Sequence, residues 1–248
     1  MLIVFLCALG VGGATMAGGV LGFLFRGITH RASDAVLSFA AGVSIASAVL
    51  GLILPSVEYG GDLGIIVCIF GIFAGALCVN LLDKAMPFAY RFAGISKDAQ
   101  NRKCGKILLF VMAIAIHNLP EGIAAGVGFG SGDAEAGLLI ALGIAIQNIP
   151  EGMVLIAPMT SAGISPLRAL LIALATGLVE VFGTFLGYFA VSLSSAILPF
   201  SLAFAGGTML YVVSDEMIPE THGDGSEHLA TYFLLAGFCL MLLFSVLL

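Results

Sequence analysis

Two short stretches hold the residues best suited to chemistry. Ile116-His117-Asn118-Leu119-Pro120-Glu121-Gly122 recurs thirty residues later as Ile146-Gln147-Asn148-Ile149-Pro150-Glu151-Gly152. On a helix, His117 and Glu121 stand four residues apart and project from one face on successive turns, with Asn118 nearby. Gln147, Asn148 and Glu151 repeat that spacing, and a lone Glu180 lies within Thr176-Gly177-Leu178-Val179-Glu180-Val181-Phe182-Gly183. Imidazole, amide and carboxylate together suit a borderline divalent metal, zinc foremost, with iron, manganese, cobalt or cadmium also possible.

What these groups can do depends on their surroundings, and composition decides those. The 248 residues are 60% hydrophobic and only 10% charged, whereas a soluble domain has about a quarter of its residues charged. So little polar material cannot cover a water-facing surface, and lipid must be the solvent for most of the chain. A segment that crosses a bilayer needs about 20 apolar residues and must satisfy its own backbone. An all-α integral membrane protein follows, with residues 1–248 as one transmembrane domain of helices. Apolar stretches at 2–25, 34–57, 63–83, 106–129, 135–158, 166–190, 197–219 and 229–247 predict eight spans, with 84–105 as the one extended loop. The first stretch lacks a basic n-region and exceeds a signal-peptide core in length, so it is expected to be retained.

All nine basic residues fall in alternate loops: Arg26 and Arg31, then Lys84, Arg91, Lys97, Arg102, Lys103 and Lys106, then Arg168. By the positive-inside rule those loops are cytoplasmic and both termini extracytoplasmic. Glu58, Asp62, Asp133 and Glu135 fall on the opposite side.

The ligand set then lies near the middle of spans 4, 5 and 6. A carboxylate at that depth costs about 2.5–3.5 kcal/mol on insertion scales. Glu121, Glu151 and Glu180 have no Lys or Arg at their depth to pair with, since the nearest basic residues lie in the loops or at the span ends. Each needs a proton or a cation, and a divalent ion is the simplest shared counter-charge. Pro120 and Pro150 lack a backbone donor and clash with the carbonyl four residues earlier, loosening the backbone at Ile116 and Ile146. Irregular backbone at membrane depth is tolerated only inside protein or along a water-filled cavity, so a polar pathway is expected there.

Spans 4 and 5 are successive and therefore antiparallel. A weaker echo links spans 2 and 7: Phe39-Ala40-Ala41-Gly42 leads to Pro55 and Glu58, and Phe204-Ala205-Gly206-Gly207 leads to Pro219 and Glu220. Inverted repeats with a midplane binding site are a plan of secondary transporters. Asp215 and Glu216, with Ser214, lie near the middle of span 7 and are candidates for a route by which the ion leaves. Glu220, His222, Asp224, Glu227 and His228 form an acidic, His-containing mouth at its cytoplasmic end.

Other classes fare worse. Nine scattered basic residues make no phosphate-binding face, so no nucleic-acid partner is expected. Cys7, Cys68, Cys78, Cys104 and Cys239 show no CxxC spacing, which argues against a disulfide framework or thiolate site. An intramembrane metalloenzyme would show His-Glu-x-x-His, but Asn118 follows His117. A transporter of another solute or of protons is the remaining alternative; no organic cofactor is implied. Gly18-Gly19, Gly71 with Gly75, and Gly183 with Gly187 are expected at close helix contacts.

His117-Asn118-Leu119-Pro120-Glu121-Gly122 and Gln147-Asn148-Ile149-Pro150-Glu151-Gly152 together resemble the paired signatures of the ZIP (ZRT/IRT-like) metal transporters. Gln147, with the run from Phe204 through Tyr211-Val212-Val213 to Pro219-Glu220, resembles the GufA branch. The resemblance spans helices 2 to 7 and is strongest from 113 to 222. It implies eight helices in a 3+2+3 inverted-repeat bundle and, in some members, two adjacent metal positions. The first would use His117, Glu121, Gln147 and Glu151. The second would use Asn118, Asn148 and Glu180 with the shared Glu121 and Glu151. Alternating access by one helix group sliding against another, and a homodimer, are further implications. Gln147 replaces the histidine of many members, and Asn148 the aspartate of some. The 84–105 loop contains no histidine, so the His-rich loop of many eukaryotic relatives is missing.

Overall fold

Backbone amides in lipid have no water to bond, so an apolar chain closes its hydrogen bonds inside helices. A computed structural model describes residues 1–24, 29–92, 118–130, 132, 134–161, 164–193, 195–222 and 227–247. Among these residues every regular element is helical. Helix α1 is Leu2–Leu24 and α2 is His30–Ala46, with Thr29 capping α2 by accepting from the Ala32 amide. The rod continues through a π-helical segment, Ser47–Ile53, into α3, Leu54–Tyr59. Helix α4 is Gly64–Phe92, α5 covers 118–130, α6 is Ala134–Ser161 and α7 is Pro166–Leu193. Helix α8, Leu198–Val212, passes through a second π-helical segment, Val213–Met217, into α9, Ile218–Thr221, and α10 is Glu227–Leu247.

Six described helical stretches are long and apolar enough to cross a membrane: Leu2–Leu24, Arg31–Tyr59, Gly61–Leu82, Ala134–Met153, Pro166–Ser192 and Glu227–Leu247. They match expected spans 1, 2, 3, 5, 6 and 8. The first part of span 4, His117 included, lies outside the described residues. Helix α4 runs on to Phe92, so residues 84–92 are helix where hydropathy suggests loop. Hydropathy marks the end of the lipid-compatible stretch, at Leu82. A helix carries its own hydrogen bonds and can continue past that level into water.

The two π-helical segments share a cause. Pro55 and Pro219 each lie in the first turn of the α-helix that follows. Each proline opposes the carbonyl four residues back, Gly51 or Asp215, and both carbonyls fall inside the π segments. Widening the turn relieves that clash. The echo between spans 2 and 7 is therefore matched in backbone form. Pro150 behaves otherwise, since α6 runs unbroken from Ala134 to Ser161. The interruption expected at that proline occurs instead in spans 2 and 7.

Helix α1 packs along α6 and α7, α4 along α8, and α2 along α10, while α2 and its π-helical continuation also meet α6. Glycine makes these approaches close. A side chain at Gly12 or at Gly177 would strike the other's carbonyl, and one at Gly18 the carbonyl of Ile149. Gly71 and Gly75 of α4 meet α8, and Gly183 and Gly187 of α7 meet α5, as expected of small residues at membrane helix contacts. Phe70, Phe73 and Leu77 on α4 and Tyr232 and Leu243 on α10 are exposed, as suits a lipid-facing surface.

Candidate metal centre

The polar residues singled out by spacing are among the most buried in the chain. Glu180 and Gln147 are 0% exposed, Asn148 1%, Glu121 3% and Asn118 4%. Glu151, one turn beyond Gln147 on α6, is half-buried. A buried polar group must be hydrogen-bonded or bear its desolvation cost, and here side chains from four helices satisfy one another. Asn118 of α5 donates its amide N–H to Oε1 of Glu180 at 2.5 Å, and Asn148 of α6 donates to Oε2 at 2.6 Å. Gln147 of α6 donates to Oε1 of Glu121 on α5 at 2.5 Å. The paired motifs thus face each other across α5 and α6, and Glu180 reaches both from α7.

Two amide oxygens of this cluster are acceptors without a donor among the described residues. Among the described residues, the side-chain oxygens of Gln147 and Asn148 are buried and have no hydrogen-bond partner. An amide carbonyl left so is costly in a dry interior. A cation is one partner that such an oxygen and neighbouring carboxylates can accept together. Arg31, Lys84 and Arg168 are all exposed, so none of these three lies within the buried cluster. Among the described residues no three His, Cys, Asp or Glu side chains could hold a metal ion. The convergent donors are therefore carboxylate and amide, and His117 lies outside the described set.

Beside Glu121 a narrow cleft is lined by Pro120 of α5, Ser44 of α2, and Thr208, Met209 and Val212 of α8. It joins the ligand cluster to the two spans that carry π-helical segments. Asp215 and Glu216 follow Val212 by one turn, in the second π segment, and are exposed, as is Glu220. They do not join the buried cluster. His222 is half-buried, with Nδ1 2.9 Å from the Ile218 carbonyl and 3.0 Å from the Thr221 hydroxyl, and Nε2 3.4 Å from the Thr231 hydroxyl. Its ring ties the end of α9 to α10. Glu227 and His228 are exposed at the start of α10, and Asp224 lies outside the described residues.

Spacing alone did not single out several participants. Thr15 of α1 is buried and its hydroxyl donates to Oε1 of Glu180 at 2.5 Å, while the Val11 carbonyl lies 3.4 Å from the Asn148 amide nitrogen. A signal existed, because Thr15 is the one hydroxyl residue within α1. Ser44, Thr208 and Met209 carry no comparable mark.

Gly122, which closes the first motif, explains how α5 comes close enough to α7. A Cβ there would overlap the Glu180 carbonyl and lie 2.8 Å from its Cα. Backbone cannot retreat as a side-chain tip can, so Gly122→Ala must push the helices apart at the level of the ligands. Overpacking of this kind costs about 1–3 kcal/mol. The variant is expected to lose thermal stability in detergent; a melting temperature unchanged from the parent would show that the contact is slack.

Comparison with known proteins gives the chain's relatives. The ZIP Zinc transporter family profile matches residues 94–245. The chain is 43% identical over 176 residues to the zinc transporter GufA of Myxococcus xanthus, covering 71% of this chain and 69% of that protein. It is 37% identical over 235 residues to the zinc transporter ZIPB of Bordetella bronchiseptica, covering 92% and 76%. With the zinc transporter ZupT of Chlorobaculum parvum it shares 33% identity over 258 residues, covering 97% and 96%.

Proposed function

We propose, from the premise that this chain belongs to the ZIP zinc transporter family and to its GufA-like branch, that it carries divalent metal ions, zinc foremost, across the cell membrane toward the cytoplasm. The observation that bears most of the weight is the pair of buried side-chain oxygens on Gln147 and Asn148, without a hydrogen-bond partner among the described residues, beside buried Glu121 and Glu180. Water-excluded carboxylates and carbonyls, with the exposed Arg31, Lys84 and Arg168 outside the cluster, form a site for a cation in transit.

In this reading His117, Glu121, Gln147 and Glu151 hold the ion at a first position. Asn118, Asn148 and Glu180, with the shared Glu121 and Glu151, make a second, adjacent one. Ligands that replace the hydration shell must bind well enough to strip water yet weakly enough to let go. Neutral oxygens of Gln147, Asn118 and Asn148 temper the carboxylates in that sense. The chain crosses the membrane eight times in a 3+2+3 inverted-repeat arrangement with both termini outside, works as a homodimer, and exposes the site to each side in turn. Asp215 and Glu216, then Glu220 and His222, mark the way out along α8 and α9. Iron, manganese, cobalt and cadmium are alternative cargoes of the same donor set.

The purified protein in proteoliposomes is expected to take up zinc with saturation, and a panel of the other divalent metals should compete in an order that gives its preference. Repeating the series under an imposed pH gradient reads any coupling to protons. Zinc entry no faster than in protein-free vesicles would overturn the proposal.

A further inference from the structure

Glu180 is the most completely enclosed carboxylate of the cluster, and its partners come from three other helices. Oε1 receives the Thr15 hydroxyl of α1 and the Asn118 amide of α5, and Oε2 receives the Asn148 amide of α6. Thr15 cannot easily retreat from this contact. Gly12 meets Gly177 of α7 one turn before it, Gly18 meets the Ile149 carbonyl one turn after it, and the Thr15 carbonyl itself abuts Gly152. The hydroxyl is 2% exposed with its residue, so no bulk water competes for the bond.

We propose that Thr15 is a positioning residue that sets how strongly Glu180 can bind the transported cation, and so tunes affinity against release. The inference rests on the transport reading above. A lone pair engaged by a short O–H donor is less available to a metal, and the ion must compete with that donor for Oε1. Hydrogen bonds to a charged group are among the stronger ones in proteins. Removing this one leaves Glu180 less satisfied and a better ligand. The ion then binds more tightly and leaves more slowly, since conduction requires binding that is weak enough to reverse.

The test compares the parent protein with Thr15→Ser, which keeps the donor, and with Thr15→Val and Thr15→Ala, which remove it. Alanine demands no new space, so it remains informative if the valine variant fails to fold. In zinc uptake by proteoliposomes, Val and Ala should lower KM by about tenfold, the effect of losing one charge-assisted hydrogen bond. Maximal rate should fall with it, and Ser should match the parent. A merely structural role would lower the rate without lowering KM. An unchanged or raised KM in the Val and Ala variants, or a Ser variant that behaves like them, overturns the proposal. Absence of saturable uptake by the parent would instead sink the transport reading. Equilibrium zinc titration of the same proteins in detergent then decides Thr15 on its own, with a dissociation constant about tenfold lower in Val and Ala expected.

Discussion

Glu121→Ala is expected to abolish zinc uptake in proteoliposomes, by about a hundredfold or more, while the protein still folds and elutes as the parent does. Glu121 is 3% exposed, takes a hydrogen bond from Gln147, and forms one wall of the cleft that leads to Ser44, Thr208, Met209 and Val212. It stands where the two facing motifs and the cleft meet, on the path proposed for the ion. Loss of about 3 kcal/mol of ion binding corresponds to roughly a hundredfold in affinity. Glu121→Gln separates charge from shape: it keeps the side-chain volume and an acceptor for Gln147 but removes the negative charge, and should fail nearly as completely. Parent-like flux in both variants, with folding intact, would show that the ion does not use this group.

Glu180 should behave differently, and the contrast is itself a test. Its carboxylate accepts from Thr15, Asn118 and Asn148 and so joins α1, α5 and α6 to α7. Glu180→Leu removes the acceptor these three donors share and leaves Asn148 only the Val11 carbonyl at 3.4 Å. Interhelical hydrogen bonds in membranes are individually modest, about 0.6 kcal/mol on average with a maximum near 1.7. Three lost together, with the added cost of orphaned donors, should destabilise the protein by about 2–5 kcal/mol. A large drop in melting temperature in detergent is expected, with Glu180→Gln intermediate because its side-chain oxygen still accepts. If Glu180→Leu melts like the parent and loses only transport, the carboxylate serves the ion alone and the helices are held by packing.

Glycine and proline show how far local chemistry reaches. Gly183 and Gly187 had the spacing of a helix contact, and they meet α5; Gly71 and Gly75 meet α8. Such positions are legible because a residue without a side chain in a lipid-facing alphabet has few uses other than close approach. The prolines were harder. Pro120 and Pro150 look like breaks beside the ligands, yet α6 stays helical through Pro150, and the widened turns precede Pro55 and Pro219. A proline's clash is a local certainty, but whether the helix widens, bends or absorbs it depends on the neighbours packed around that turn.

Solvent, helical class and the candidate ligand residues were legible in the sequence itself. Scarce charge leaves only lipid as solvent, lipid leaves only closed backbone, and a carboxylate repeated at matched spacing within two apolar spans needs a counter-charge wherever the helices go. Tertiary structure decided which atoms meet. It brought Thr15, more than a hundred residues away, onto Glu180, set Gln147 against Glu121, and lined the cleft with Ser44, Thr208 and Met209. The physical reason is that spacing along one helix reports which face a residue occupies. Which helix covers that face, and at what height, follows from glycine-to-carbonyl contacts between helices distant in sequence.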